Sequence, residues 1–344
     1  MRPVRDTEGV CNGDREAPSG SMRIVGNVAD RPGRRGGDVA VVALRSSRLA
    51  IEVLTLGASL VSVVYDPDKE PIELVAALPT WLDYNDQRVN HHVGSTMGRW
   101  CRFVTDPVVE IDGQRVRLAT TEAGVHAHGG PEGFTYQNWN ARLECRAAGT
   151  TSAVLRHESP DGHQGYPGAV SVEVEYRLSV DGRLTVGYRA STTAPTLLGL
   201  ANHVYWRIGE VPVGEHQLLL PAARRLDIVG DLPTTRSPIA VSGLDDFRSA
   251  RRLGDQSVDA FYVGGGDAAV WRIAAPDVGI ALELKSRESG AGIYTGDRDP
   301  VPRRGICCQF GPWPAAEHRP DFPSPIVRPG SPYLSSWSLA VRLS

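Results

Sequence analysis

An all-β fold of antiparallel strands is predicted by three features of this sequence. Short runs rich in β-branched residues recur along the chain, many alternating apolar with polar and most bounded by Gly, Pro, Asp or Asn. No segment sustains the 3.6-residue periodicity of an amphipathic helix. Strand follows strand without the helical crossovers that a parallel sheet needs, so a sandwich or barrel is expected.

Taken in order, residues 1–37 are rich in Gly, Arg, Asp and Pro and poor in aromatics. Such a composition buries too little apolar area to offset chain entropy, and a mobile tail is expected there. One domain over 38–344 follows, with no composition break and no internal repeat. Its strand-like runs begin with VAVVAL (39–44), LAIEVLTL (49–56) and SLVSVVY (59–65). TWLDYNDQ (80–87) suits at most a short helical turn. AVSVEVEYRLSV and RLTVGYRAST (169–180 and 183–192) flank Asp181-Gly182 and read as the clearest hairpin. HQLLLPA, AVWRIAA, IALELKS and YLSSWSLAVRL complete the set.

The 344 residues carry a formal net charge of −3, which gives no reason to expect a nucleic-acid or anionic-membrane partner. No apolar run reaches the length of a membrane span and no signal-peptide pattern is present. Lysine occurs only at Lys69 and Lys285, a bias that GC-rich codon usage explains. The five cysteines, Cys11, Cys101, Cys145, Cys307 and Cys308, are odd in number and irregular in spacing. That argues against a disulfide framework and, with no Cys-x-x-Cys, against zinc; reduced thiols in a cytoplasmic protein are expected, with no metal and no cofactor.

Histidine carries the candidate chemistry. His126 and His128 lie in the Gly-rich loop GVHAHGGPEGF, and His203 follows Asn202 in LLGLANHVYWRI. An imidazole titrates near neutrality and suits acid–base work, although a strand histidine is as often a hydrogen-bonded core residue. His157, His163, His216 and His318 have no special context, and the pair His91-His92 has no evident purpose. Asp259 enters an apolar run, as a strand-end cap or as an acceptor for hydroxyl groups. Trp100, Trp139, Tyr205, Trp206 and Trp313 stand beside these motifs, placed to stack on a sugar ring or simply to fill a core.

Together and in order, these motifs resemble the aldose 1-epimerase (galactose mutarotase) family. GASLVSV, MGRWCRF, HAHGGPEGF, SPDGHQGYPG, ANHVYW, DDFRSARRLGDQSVDAFY and IYTGD are similar to its successive signatures, with Cys101 where that family has Asn. The resemblance implies a large antiparallel β-sandwich of the galactose mutarotase type with a sugar cleft across one sheet. It implies anomer interconversion through the open-chain aldehyde, with His203 as acid and His128 assisting binding and charge stabilisation. Arg102 and Asp259 take the positions of its binding arginine and aspartate; Asn202, His126 and Trp206 are further candidates for substrate binding. A small carbohydrate-like substrate follows, with a monomer or homodimer as the assembly.

The family's catalytic base is a glutamate in a segment that here reads GICCQFGPWP (305–314), and its position holds Gln309. An amide hydrogen-bonds but takes no proton at neutral pH, and loss of a positioned base costs on the order of 10²–10⁴ in rate. Three readings stay open. The cleft performs a different reaction on a sugar or hemiacetal, such as isomerisation, dehydration or cyclisation in specialised metabolism. Alternatively, a base has moved to Glu317, Asp297 or His126. Otherwise the protein binds carbohydrate without turnover.

Overall fold

The hairpin expected around Asp181-Gly182 forms the middle of the largest sheet. Val170–Ser179 pairs antiparallel with Leu184–Thr192, and the turn closes as the Gly182 amide donates to the Ser179 carbonyl at 3.0 Å. Alternate residues of both strands are buried, the pattern expected of strands with one face on a core. The structure, a computed structural model, describes residues 18–66, 69–104, 106–146, 149–229, 232–233, 237–266 and 268–344. The large sheet has nine strands in the order Arg251–Arg252, Gln217–Leu219, Trp271–Ala275, Ile280–Ser286, Tyr333–Leu343, Leu184–Thr192, Val170–Ser179, Thr150–Ser159 and Asn140–Arg146.

A second sheet of seven strands carries the site. Its path is Tyr205–Trp206, Ile306–Phe310, Gly290–Tyr294, Asp259–Val263, Arg224–Val229 and Leu232–Pro233, with Ile239–Ala240 also paired to Arg224–Val229. Tyr176, Val186, Leu282 and Leu339 of the large sheet share one buried cluster with Tyr262, Ile293, Cys308 and Phe310 of the second. This is the β-sandwich that the strand pattern predicts, and the pairings are antiparallel throughout both sheets. Burying one aliphatic or aromatic side chain contributes roughly 1.5–3 kcal/mol, so the shared cluster is what fixes the two sheets face to face.

A five-stranded sheet departs from expectation. Ser19–Val28, assigned by composition to a tail over 1–37, is its edge strand and pairs with Gly37–Arg45. An edge strand needs backbone partners rather than apolar area, and composition does not report that requirement. Gly26 lies under Trp81, where a Cβ would come within 2.1 Å of the indole, so glycine is required for this approach. Residues 1–17 of the expected tail lie outside the described residues. TWLDYNDQ does form a short helix, Trp81–Asn85, whose first turn is closed by the Asp83 carboxylate accepting from the Thr80 amide at 2.8 Å. A hairpin not anticipated from the sequence joins Val108–Ile111 to Gln114–Arg117, with Asp112 and Gly113 both at positive φ as a type I′ turn requires.

The thiols correct a further expectation. Cys101, Cys307 and Cys308 are free and buried, but Cys145 is disulfide-bonded, so the cysteines are not all reduced. Among the described residues no helix is long and apolar enough to cross a membrane.

Candidate active site

Strand Ile306–Phe310 is buried along its whole length, and its two faces do different work. Ile306, Cys308 and Phe310 point into the inter-sheet core. By the two-residue period, Cys307 and Gln309 point the other way, and Gln309 lines a cavity of about 380 Å³. The neighbouring strand places Gly292 opposite Gln309 and Tyr294 opposite Cys307. A Cβ at Gly292 would stand 3.0 Å from the Arg102 Nη1, so glycine there leaves the guanidinium its berth.

Arg102 reaches across this floor. Its Nη1 donates to Gln309 Oε1 at 3.3 Å, its Nη2 to the Gln309 carbonyl at 3.2 Å and its Nε to the Pro312 carbonyl at 2.9 Å. The guanidinium carbon lies 5.0 Å from the centre of the Phe261 ring. Gln309 Nε2 in turn donates to Cys307 Sγ at 3.3 Å, and that sulfur is 3.4 Å from His203 Nδ1. Burial pushes the Cys307 thiol well above its ordinary range, so it keeps its proton. With the amide N–H donated to sulfur and the thiol S–H directed at Nδ1, His203 Nε2 carries the ring proton; an Nδ1–H directed at the sulfur is the other tautomer that this contact fits. An amide, but not a carboxylate, can start this chain of donors.

His203 shares the cavity with three more imidazoles, those of His91, His92 and His128. His128 donates from Nδ1 to the Cys101 carbonyl at 2.7 Å, which leaves its Nε2 as an acceptor when neutral. His92, from the His91-His92 pair, has its Nδ1 2.8 Å from Thr135 Oγ1, and its ring centre is 4.6 Å from that of His128 and 6.3 Å from that of His203. Burial lowers His92, His128 and His203, His128 to about 4, so each of these is neutral near pH 7. His92 and His128 both take positive φ, at 62° and 47°, an uncommon conformation for a residue with a side chain. The loop that delivers His128 is equally constrained: Gly129 has φ 102° and packs so closely that a Cβ would stand 1.7 Å from the Gly98 carbonyl.

The rim is charged and aromatic. Asp259 lines the cavity and forms an ion pair with Arg298. Asp299 accepts a hydrogen bond from the Tyr294 hydroxyl at 3.2 Å, and burial raises its carboxyl. Tyr205 packs on His203 with ring centres 4.9 Å apart, and it lines the cavity with Phe103 and Tyr294.

The cavity therefore gathers His203, His128, Gln309, Arg102 and Asp259 from the sequence-derived set. It does not gather Asn202, His126 or Trp206. Asn202 follows the opposite face to its neighbour His203, and its amide is consumed by Thr96 Oγ1, Tyr176, Tyr188 and Trp337. Trp206 is 1% exposed and packs edge-on to Trp337 in the core. His126 is bonded to the Ala119 carbonyl and the Tyr166 hydroxyl, away from the cavity. The three substitutes for a base also stand elsewhere: besides His126, Asp297 is tied to Ser257, Thr295 and Arg303, and Glu317 is buried behind the Trp100 cluster. Asp299 and His92 were not singled out in the sequence. Only the doubled histidine hinted at His92, and nothing marked Asp299 within its turn. SPDGHQGYPG is likewise a structural loop, held by Arg99 donating to the carbonyls of Ser159, Pro160, Pro167 and Gly168.

Residues 40–340 match the family model described as aldose 1-epimerase. The chain is 26% identical over 328 residues to the galactose mutarotase of Homo sapiens, covering 87% of this chain and 92% of that protein. It is 25% identical over 283 residues to the aldose 1-epimerase of Escherichia coli, covering 73% of this chain and 80% of that one. Its fold is similar to that of the galactose 1-epimerase from Lactobacillus acidophilus, with a TM-score of 0.79 at 20% identity over 94% of this chain and 99% of that one. An aldose epimerase homologue from C. elegans superposes with a TM-score of 0.78 at 22% identity, covering 86% and 96%.

Proposed function

Because the chain belongs to the aldose 1-epimerase family, we propose that it acts on a sugar or hemiacetal-containing small molecule by acid-assisted C–O bond chemistry with an altered proton path. The observation that carries this reading is the gathering of His203, His128, Arg102 and Asp259 around Gln309 in one cavity. Its volume of about 380 Å³ suits a monosaccharide-sized ligand. His203 Nε2–H hydrogen-bonds the ring oxygen and stabilises the charge that develops there as the bond from that oxygen to the anomeric carbon breaks, and water supplies the proton that the oxygen finally takes. The neutral Nε2 of His128 accepts a hydrogen bond from a substrate hydroxyl, and Asp259 anchors another. Gln309 holds the donor chain through Cys307 but takes no proton, so the anomeric hydroxyl gives its proton to water. Ring opening and closing, dehydration or cyclisation of a specialised metabolite all fit a cleft dominated by its acid.

One observation favours a second reading, a genuine aldose 1-epimerase with its base relocated. Asp299 is a carboxyl on the cavity wall, raised by burial toward the range useful to a general base. In that reading the anomeric hydroxyl proton passes to Asp299 and water supplies the proton to the ring oxygen, which His203 Nε2–H holds by a hydrogen bond.

Following the anomers of galactose and glucose by NMR tests both. Wild-type turnover lost in Asp299→Asn selects the relocated base. No turnover of simple sugars in the wild type, but binding that His203→Gln weakens, supports the altered reaction. Binding unaffected by His203→Gln, with no turnover of any hemiacetal tried, leaves only a carbohydrate-binding protein and sinks both enzymatic readings.

A further inference from the structure

Two buried arginines of this fold differ in one respect that bears on the ligand. Arg99 spends its donors fully: Nε goes to Ser159 Oγ, Nη1 to the Pro167 and Gly168 carbonyls, and Nη2 to the Ser159 and Pro160 carbonyls. A guanidinium has five N–H donors, and all five of Arg99 are placed. Arg102, only 6% exposed and lining the cavity, places three: on Pro312 O, Gln309 O and Gln309 Oε1. Two N–H groups, one on each terminal nitrogen, remain on the planar fork.

Nor is the charge of Arg102 balanced. Every acceptor it meets among the described residues is a neutral amide or peptide oxygen. His92, His128 and His203, the buried imidazoles of the cavity, are neutral. Asp259 is paired with Arg298, and Asp299 is engaged by the Tyr294 hydroxyl. A buried cation without a counter-charge is costly unless a partner arrives. A glutamate at the position of Gln309 would supply that partner from within and would repel any other anion. The amide does neither.

We propose that the ligand of this cavity is an acidic sugar, a cyclic hemiacetal or hemiketal bearing a carboxylate that Arg102 takes on its two remaining N–H groups. Gln309 is then the residue that sets specificity, admitting the carboxylate by being uncharged. A planar carboxylate matches the guanidinium fork better than a point contact would, and the pair supplies the missing counter-charge. This inference rests on the cavity being the sugar site, and it names which sugars enter it.

Isothermal titration with four probes tests it: D-galacturonate, whose carboxylate is remote from the anomeric carbon, N-acetylneuraminate, whose carboxylate is on it, D-galactose 6-phosphate and neutral D-galactose. At least one acid should bind the wild type about tenfold or more tightly than galactose, since a fully desolvated charge pair separates the two. Gln309→Glu should abolish or reverse that preference, read as the ratio of acid to galactose affinity within the variant, and Arg102→Gln should lose it as well. Thermal melts of both variants check that they are folded, and Gln309→Glu carries the test if Arg102→Gln is not. Equal or tighter binding of galactose by the wild type overturns the acidic-sugar inference and leaves the sugar site standing. Preference for galactose 6-phosphate over both carboxylates overturns the carboxylate assignment. Failure of all the probes to bind overturns the sugar site itself, and this inference with it.

Discussion

Gln309→Glu is the most informative single change, because it returns a proton acceptor to the cavity beside an intact cation. The new carboxylate oxygen would replace Oε1, which lies 3.3 Å from Arg102 Nη1. At the effective dielectric of a protein interior the attraction is about 4–5 kcal/mol, against a desolvation cost of several kcal/mol for the carboxylate. The two nearly cancel, so the melting temperature should hardly move. The chemistry should move more, with mutarotation of galactose rising on the order of 10²–10⁴ over wild type, the usual worth of a positioned base. The gain should fall at the low end of that range. A carboxylate cannot donate to Cys307 Sγ, so the thiol proton is drawn away from His203 Nδ1 and the acid loses its fixed tautomer. Anomer interconversion measured by NMR or polarimetry reads the rate directly. An unchanged rate in a folded variant would refute the claim that Gln309 occupies the position of the base.

Two further outcomes concern residues outside the cavity. Asn202→Ala removes hydrogen bonds to Thr96, Tyr176, Tyr188 and Trp337 and should destabilise the fold by roughly 3–4 kcal/mol, at about 1 kcal/mol for each bond lost, as read by chemical denaturation. A loss of sugar binding without a loss of stability would instead place Asn202 in the site. Glu317 has both carboxyl oxygens buried beside the Trp100 indole, and desolvation outweighs that contact and raises it to about 7. Its folded value exceeds its unfolded one, so the folded state holds the extra proton; stability is full below about pH 4.5 and falls as pH rises toward 7, by roughly 3 kcal/mol. Glu317→Gln should flatten that slope in melts taken at pH 5 and pH 7.5, and an unchanged slope would assign the pH dependence to other groups.

Gln309, His203, Arg102 and Asp259 were picked out through the family resemblance, and the strand periodicity around Gln309 agrees with that register. Ile306–Phe310 reads as a buried strand, and the same alternation that sends Cys308 to the core sends Gln309 to the cavity. His128 was legible through the glycines that its loop requires. The same alternation, applied to Asn202 and His203, would have put them on opposite faces and removed Asn202 from the candidates. Trp206 and His126 could not be excluded in this way, since whether an aromatic or a histidine meets a cleft or a core depends on the sheet packed against it. His92 and Asp299 come from turns, where backbone dihedrals rather than periodicity aim the side chain, and a single sequence does not supply those. The edge strand Ser19–Val28 was hidden because its stability comes from the ladder with Gly37–Arg45 rather than from its own composition.

That edge strand has a consequence for how copies of the chain meet. The outermost strand of an open sheet offers unpaired amides and carbonyls to any other chain, and a long flat one invites sheet-to-sheet association. Ser19–Val28 is poorly suited to such pairing. Its register slips between Ile24 and Gly26, which bends the ladder, and Arg23 projects a charge that is held toward Glu52 at 3.6 Å. Glycines at 20 and 26 let the strand lie close against Leu143 and Trp81 of its own chain. The strand thus both satisfies the backbone of Gly37–Arg45 and presents to solvent a border that discourages growth of the sheet from one molecule into the next.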